Sequence, residues 1–264
     1  MKKSNAFLAM AASVALFLGA CGSDSATPSG ESGGSKDDKV LEMGTSADFA
    51  PFESRNPSGD FEGFDIDLAN YIADELGYEL KINDMKFDGL IGALQNKRID
   101  MVLSGMSATE ERKQNVDFST EYNRSGEIFI TTKDSPIKTL EDLEGKVLGV
   151  QLGSIQEEGA NEIKEAEGIN YEIKALDESG ALIQELLSSR VDAVYMDKAA
   201  GEGYVKAQDL TSFDDPTTSS PGMAVAFPKG SDLVDDVNEV LKKAEENGDL
   251  QKMKDKWLTG EQAE

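Results

Sequence analysis

An α/β fold in two lobes is what this sequence predicts, and three observations predict it. Apolar strands alternate with amphipathic helices from residue 40 onward. A strand motif of the first half recurs in the second, and two extended apolar runs bracket the middle of the chain. Such alternation is the mark of a mainly parallel sheet flanked by helices.

Residues 40–44 form the first predicted strand, followed by a loop over 45–63 that carries Phe49, Pro51, Phe52 and Pro57. A helix comes next, with Asp65 as its expected cap, Leu68, Ile72 and Leu76 on one face, and Gly77 closing it. Residues 78–82 return as a strand. A second helix carries Leu90, Ile91 and Leu94 and ends in Lys97 and Arg98, where the helix dipole favours cations. Residues 99–103 make the next strand.

Part of this pattern then recurs, since Arg98-Ile99-Asp100-Met101-Val102 is echoed by Arg190-Val191-Asp192-Ala193-Val194. Each copy follows an amphipathic helix, the second built on Leu182, Leu186 and Leu187. The separation is too long for a solenoid. Two lobes of similar construction account for the echo; in so short a match, chance would too. Between the copies, residues 139–143 begin a short helix, 147–150 form an apolar strand, Gly153-Ser154 opens a helix reaching about residue 166, and 171–175 make another strand.

The extended runs 127–132 and 223–227 are read as paired strands crossing between the lobes. The C-terminal segment returns to the first lobe with Val237, Leu241, Met253 and Trp257 packed on it, Trp257 as an anchor. Residues 40–131 are thus the first part of lobe 1, 132–223 lobe 2, and 224–264 the return to lobe 1.

The N-terminus reads as an address. Lys2 and Lys3 precede an apolar run over 6–18 that is too short to span a bilayer and has the flanks of a secretory signal, residues 1–20. It ends in Leu18-Gly19-Ala20-Cys21, similar to the lipobox of bacterial lipoproteins, where cleavage frees a cysteine thiol to carry diacylglycerol. A secreted protein with a stray cysteine is the alternative. Residues 21–39 then comprise the lipidated Cys21 and a Gly/Ser-rich flexible linker. The expected location is the outer face of a Gram-positive-type cell membrane. With one cysteine, an internal disulfide is excluded.

Composition removes whole classes of function. The chain carries 26 Lys+Arg against 51 Asp+Glu, a formal −25, so it is no nucleic-acid binder, because phosphate contacts need dense cations. The excess charge serves solubility. With no histidine, His-based triads, His-ligated metals and imidazole catalysis are ruled out. No cofactor or metal is expected.

Seven segments carry a resemblance to a known family: Gly44-Thr45-Ser46-Ala47-Asp48-Phe49-Ala50-Pro51-Phe52, Gly63-Phe64-Asp65-Ile66-Asp67-Leu68, Phe87-Asp88-Gly89-Leu90-Ile91, Ser104-Gly105-Met106-Ser107-Ala108-Thr109-Glu110-Glu111-Arg112-Lys113, Val116-Asp117-Phe118-Ser119, Gly149-Val150-Gln151-Leu152-Gly153-Ser154 and Val191-Asp192-Ala193-Val194. In this order they resemble the family 3 solute-binding proteins of polar amino acid ABC transporters. The resemblance implies a periplasmic-binding-protein-like fold: two α/β lobes, each a mainly parallel sheet flanked by helices, joined by two crossing strands and closing over one amino acid. It also implies a transporter permease as partner, no enzymatic activity and a monomer.

Any free amino acid offers a carboxylate and an ammonium, so its site needs a fixed cation and a fixed anion. Arg112 suits the first role, because guanidinium grips a carboxylate through two parallel N–H···O bonds. Thr109 should cap a helix whose first turn then holds Arg112 against the dipole, a local rule broken as functional sites break them. The pattern alone leaves open a surface arginine paired with Glu111.

Ser104, Gly105 and Ser107 follow a strand end, where open α/β sheets bind ligands, and Ser154, Ile155 and Gln156 start a helix whose free N–H groups suit a carboxylate. Where this chain has Ile155, many relatives have threonine, which leaves only the backbone to contribute. Asp197 by resemblance accepts the ligand's ammonium, and it is also placed to cap a helix; the roles can coexist. Phe49 and Phe87 are read as aromatic walls that sandwich the ligand side chain, against the core role that is the default for any single phenylalanine.

Segments 41–48, 149–158 and 256–261 look most like arginine-binding lipoproteins, with glutamine the next ligand. Several binders of basic side chains have an acid where Ser46 stands; Asp48 or Glu53 would then have to compensate. The competing readings are a dehydratase-like enzyme on the same fold and a sensory or adhesive ectodomain.

Overall fold

The computed structural model describes residues 39–217 and 220–259. The expected signal segment, Cys21 and the linker through residue 38 lie outside the described residues.

Two five-stranded sheets organise the chain. The first has the spatial order Tyr78–Asp84, Lys39–Thr45, Met101–Val102, Met223–Pro228, Val116–Asn123. The second runs Glu172–Leu176, Val147–Gln151, Ala193–Asp197, Glu127–Thr132, Leu210–Asp214. In each sheet the first three strands are parallel, and the fourth is antiparallel to both its neighbours.

Helices cover both faces of each sheet, which is why the central strands read as unbroken apolar runs. In the first lobe, Phe64–Leu76, Leu233–Glu246 and Asp249–Trp257 close over Leu41 and Met43 through Leu68, Ile72, Val237 and Leu241. Trp257 anchors this layer, its indole N–H donating to Asp67 at 2.7 Å. Leu90–Gln95 covers the opposite face with Leu90 and Leu94 on Val102. In the second lobe, Ile155–Glu167 packs over Leu148 and Val150, where Phe129 stacks on Tyr195 with ring centroids 4.3 Å apart. Ser179–Leu187 covers the other face through Leu182 and Leu186. No described helix is long and apolar enough to cross a membrane.

The echoed motif has one structural cause. Asp100 donates its backbone N–H to the Glu42 carbonyl at 2.7 Å and accepts the Glu42 N–H on its carboxylate at 2.9 Å. Asp192 makes the same reciprocal pair with Val147, both bonds 2.8 Å. Each aspartate thus joins the third strand in its sheet's order to the second, just ahead of the parallel ladder. An acceptor side chain followed by apolar residues is needed at that spot, and it is needed once per lobe.

Two expectations are corrected. Runs 127–132 and 223–227 do not pair with each other: Glu127–Thr132 lies inside the second sheet and Met223–Pro228 inside the first. Each is buried at five of its six positions, and such a strand needs a covered sheet on both faces. The crossings between lobes are the short stretches between Asn123 and Glu127 and between Asp214 and Met223. Asp65 is not a helix cap either. Gly63 takes that position without a side-chain bond, and the Asp65 carboxylate turns inward.

The lobes belong to one compact unit, and they touch. Ser179 donates its backbone N–H to Asp48 at 2.7 Å, Arg112 reaches the Gly153 carbonyl at 3.0 Å, and Lys86 pairs with Asp177.

Candidate functional site

A narrow cavity of about 20 Å³ lies between the lobes. The first lobe lines it with Ser46, Phe49, Glu53, Phe87, Ser104, Gly105, Ser107 and Arg112, the second with Gln151, Ser154, Ile155 and Gln156. Nine of the ten residues singled out from sequence therefore share one space.

Arg112 is held by its own backbone and by both lobes. Thr109 caps the short helix Glu110–Lys113, its hydroxyl accepting the Arg112 N–H at 3.2 Å. One guanidinium nitrogen donates to the Ser107 carbonyl at 2.9 Å and the other to Gly153 across the cleft. The side chain is 8% exposed, and its guanidinium sits 5.3 Å from the Phe87 ring centroid. Burial lowers its pKa to about 10, which leaves it charged at neutral pH. None of the described carboxylates lies within ion-pair distance of it, Glu111 included. Two of its five N–H donors are used on carbonyls, and Glu158 and Glu111 act on its charge without bonding it. A carboxylate is the group that completes it.

Opposite Arg112, Gly153 turns the chain at φ 73° into the helix Ile155–Glu167. Ser154 caps that helix by accepting the Glu157 N–H at 3.2 Å, and its own O–H donates to the Gln151 carbonyl at 2.6 Å. Ile155 and Gln156, the first residues of that helix, line the cavity, and the N–H groups of a helix start favour negative charge. Gln156 donates to Glu127 at 2.5 Å. Phe49 approaches the backbone of Gly105 so closely that a Cβ there would stand 3.0 Å from the ring; Gly105, at φ 54°, supplies none.

Asp197 is the exception among the ten. It does not line the cavity, and it caps the helix Lys198–Ala207 by accepting the Ala200 N–H at 3.2 Å. Burial pushes its carboxyl up to about 6 despite that bond. It faces Glu127 in the ladder, and Glu127 in turn is pushed up to about 8, by burial first and Asp197 second. Asp197 thus stands one side chain behind the Gln156 wall.

Three lining residues were not singled out from sequence: Ser46, Gln151 and Glu53, the last considered only as a stand-in acid. Glu53 is 1% exposed and accepts the Ser104 hydroxyl at 2.9 Å. Behind it, fully buried Asp65 accepts the Gly105 N–H at 2.7 Å and the Tyr122 hydroxyl at 2.8 Å. The cavity therefore has a buried cation in one part of its wall and a buried acid in another.

A sequence model of the bacterial extracellular solute-binding proteins, family 3, matches residues 41–260. The chain is 44% identical over 257 residues to the arginine-binding extracellular protein ArtP of Bacillus subtilis (strain 168), covering 96% of this chain and 97% of that one. Among solved structures, it is similar to an ancestral arginine-binding protein bound to arginine, with 39% identity, a TM-score of 0.78, and 83% and 97% of the two chains covered. The same description applies to an ancestral arginine-binding protein bound to glutamine, at 38% identity, TM-score 0.77, and 83% and 97% coverage.

Proposed function

Because the chain belongs to family 3 of the bacterial extracellular solute-binding proteins, we propose that it is the receptor of an amino acid ABC importer, with arginine as its preferred ligand and glutamine next. The observation that carries the reading is Arg112, a guanidinium buried in the cleft with no described carboxylate bonded to it, on the same cavity as the helix start Ser154–Gln156. The ligand carboxylate fits between them. Its ammonium lies toward Asp197, and its side chain runs past Phe49 toward Glu53. A guanidinium there gains a carboxylate and an aromatic face together, the latter worth about 1–2 kcal/mol when desolvated.

Such a ligand touches both lobes only when they are closed, so binding selects the closed state by differential contact alone. Bound ligand is handed to a permease unchanged; the reading assigns the chain no reaction. A thermal-shift screen against the twenty amino acids tests it. Arginine is expected to give the largest rise in melting temperature, about 2.7 kcal/mol of added stability at a hundredfold excess over Kd. A larger rise with another amino acid overturns the ligand assignment, and no rise with any of them overturns the receptor.

The same reading places the protein on the outer membrane face through Cys21, whose acyl chains anchor by about 0.8 kcal/mol per buried CH₂. Cys21→Ser is expected to move the protein from the membrane fraction to the medium or to leave it unprocessed. Retention at the wild-type level counts against lipidation.

A further inference from the structure

Glu53 and Asp65 pose a problem that the cavity's shape does not solve. Both are buried, 1% and 0% exposed. Ser104 satisfies Glu53 Oε1, while the Gly105 N–H and the Tyr122 hydroxyl satisfy Asp65 Oδ2. Their other oxygens, Glu53 Oε2 and Asp65 Oδ1, are buried and find no donor, although the two carboxyl groups are within hydrogen-bonding reach of each other. As two carboxylates they repel and leave two acceptors unsatisfied. One proton between them removes both penalties.

The surroundings offer no other remedy. Within the expected loop 45–63, the short strand Asp48–Phe49 pairs with Glu53–Arg55, and Asp48 adds negative charge toward Glu53. Tyr122, from the strand Val116–Asn123, is a buried phenol that keeps its proton, partly because Asp65, Glu53 and Asp197 face it. Arg55, two residues from Glu53, turns outward to Asp84, and Asp67 on the Asp65 helix is paired with Lys256. Arg112 shares the cavity but bonds the Ser107 and Gly153 carbonyls. No described cation bonds either carboxyl. Burial accordingly pushes Asp65 up to about 7, and burial plus the Asp65 charge pushes Glu53 well above the ordinary range.

Resting on the amino acid reading above, we infer that Glu53 and Asp65 act as one proton-sharing acid pair that selects among ligands: a cationic side chain drives a proton off the pair into solvent, and a neutral side chain leaves it in place. The pair then holds fewer protons and carries the negative charge that a guanidinium matches. A neutral amide meets a pair that keeps an O–H to donate. Choice between basic and neutral amino acids is therefore set by pH as well as by shape.

Titration calorimetry on the ligand-stripped protein tests this with arginine and its neutral isostere citrulline, each at pH 7 in phosphate and in Tris. The dependence of the measured heat on the buffer's ionisation heat counts the protons released. Arginine is expected to release a larger fraction of a proton than citrulline; any release through Asp197 is common to both ligands. Between pH 8 and pH 6 the affinity ratio of arginine to citrulline is expected to fall about tenfold, the change for one titration centred near 7.

Asp65→Asn is expected to abolish the difference. Should that variant not fold, Tyr122→Phe removes one donor from Asp65 and is expected to move the arginine profile to higher pH. Equal proton counts, a ratio constant with pH, or a Tyr122→Phe profile identical to wild type overturns the pair. Failure of both amino acids to bind overturns the receptor reading beneath it, and the pair's role with it.

Discussion

Arg112→Ala is expected to leave the protein folded and unable to hold any amino acid. The guanidinium is the only described cation lining the cavity, and every amino acid presents a carboxylate to it. Hydrogen bonds to a charged group contribute roughly 1.5–3 kcal/mol each, and truncating one partner of a buried charge pair costs about 2–5 kcal/mol. Kd should therefore rise by about thirtyfold to several thousandfold, equally for arginine, glutamine and citrulline, because the lost contact is with the shared end of the ligand. Removing a buried cation that no described carboxylate bonds relieves its desolvation and offsets the loss of the Ser107 and Gly153 bonds. Calorimetry reads the affinity, and the melting temperature of the empty protein reads the fold. Affinity within threefold of wild type, in a folded variant, refutes the carboxylate role. Arg112→Lys sharpens the test, since a single ammonium cannot serve two carbonyls and a planar carboxylate together; it is expected to fall between alanine and wild type.

What the sequence disclosed and what it hid divide along one physical line. Local chemistry was legible. Gly77 closes its helix in the left-handed conformation at φ 72°, and Thr109 and Ser154 cap theirs through side-chain oxygens. These depend on residues within a turn of one another. The repeated Arg-x-Asp motif was visible as a pattern, and its role in joining adjacent strands came only with the ladder. The acid pair is hidden, and Asp65 reads as a cap because a helix start is where aspartate is common. Its real partners are Gly105, 40 residues away, and Tyr122, 57 away. The Ser104 that holds Glu53 is 51 residues off. No local rule foretells that an acid will be buried, because the burial is made by distant segments. The strand at 127–132 was placed in the wrong pairing for a similar reason: an apolar run buried on both faces declares that it is central, and not in which sheet.

Gly63→Ala is expected to damage fold and site together. Gly63 sits at φ 133°, ψ 174°, a conformation that L side chains rarely adopt. A Cβ there would stand 2.2 Å from the Phe52 carbonyl oxygen, 2.6 Å from its carbon and 2.9 Å from the Glu53 nitrogen. These are backbone atoms, so no rotamer change relieves the contact. They are also anchored, because Phe64 and Asp65 donate their N–H groups to the Pro51 and Phe52 carbonyls at 2.9 Å and 2.8 Å. That close packing is what lays the start of the helix against the segment carrying Glu53 and sets Asp65 behind it. Backbone strain of about 1–3 kcal/mol and a forced shift of similar size together predict a loss of roughly 3–5 kcal/mol, a fall of about 10 °C or more in melting temperature. The comparison that isolates the cause is Gly77→Ala. Gly77 is also at positive φ, 72°, but a Cβ there meets nothing within 4 Å, so only the conformational cost of about 1–2 kcal/mol applies. If the two variants melt alike, backbone contact at Gly63 is not what fixes the helix start. If Gly63→Ala falls much further and its surviving folded fraction binds arginine no better than citrulline, the same glycine that permits the fold also sets the acid pair in place.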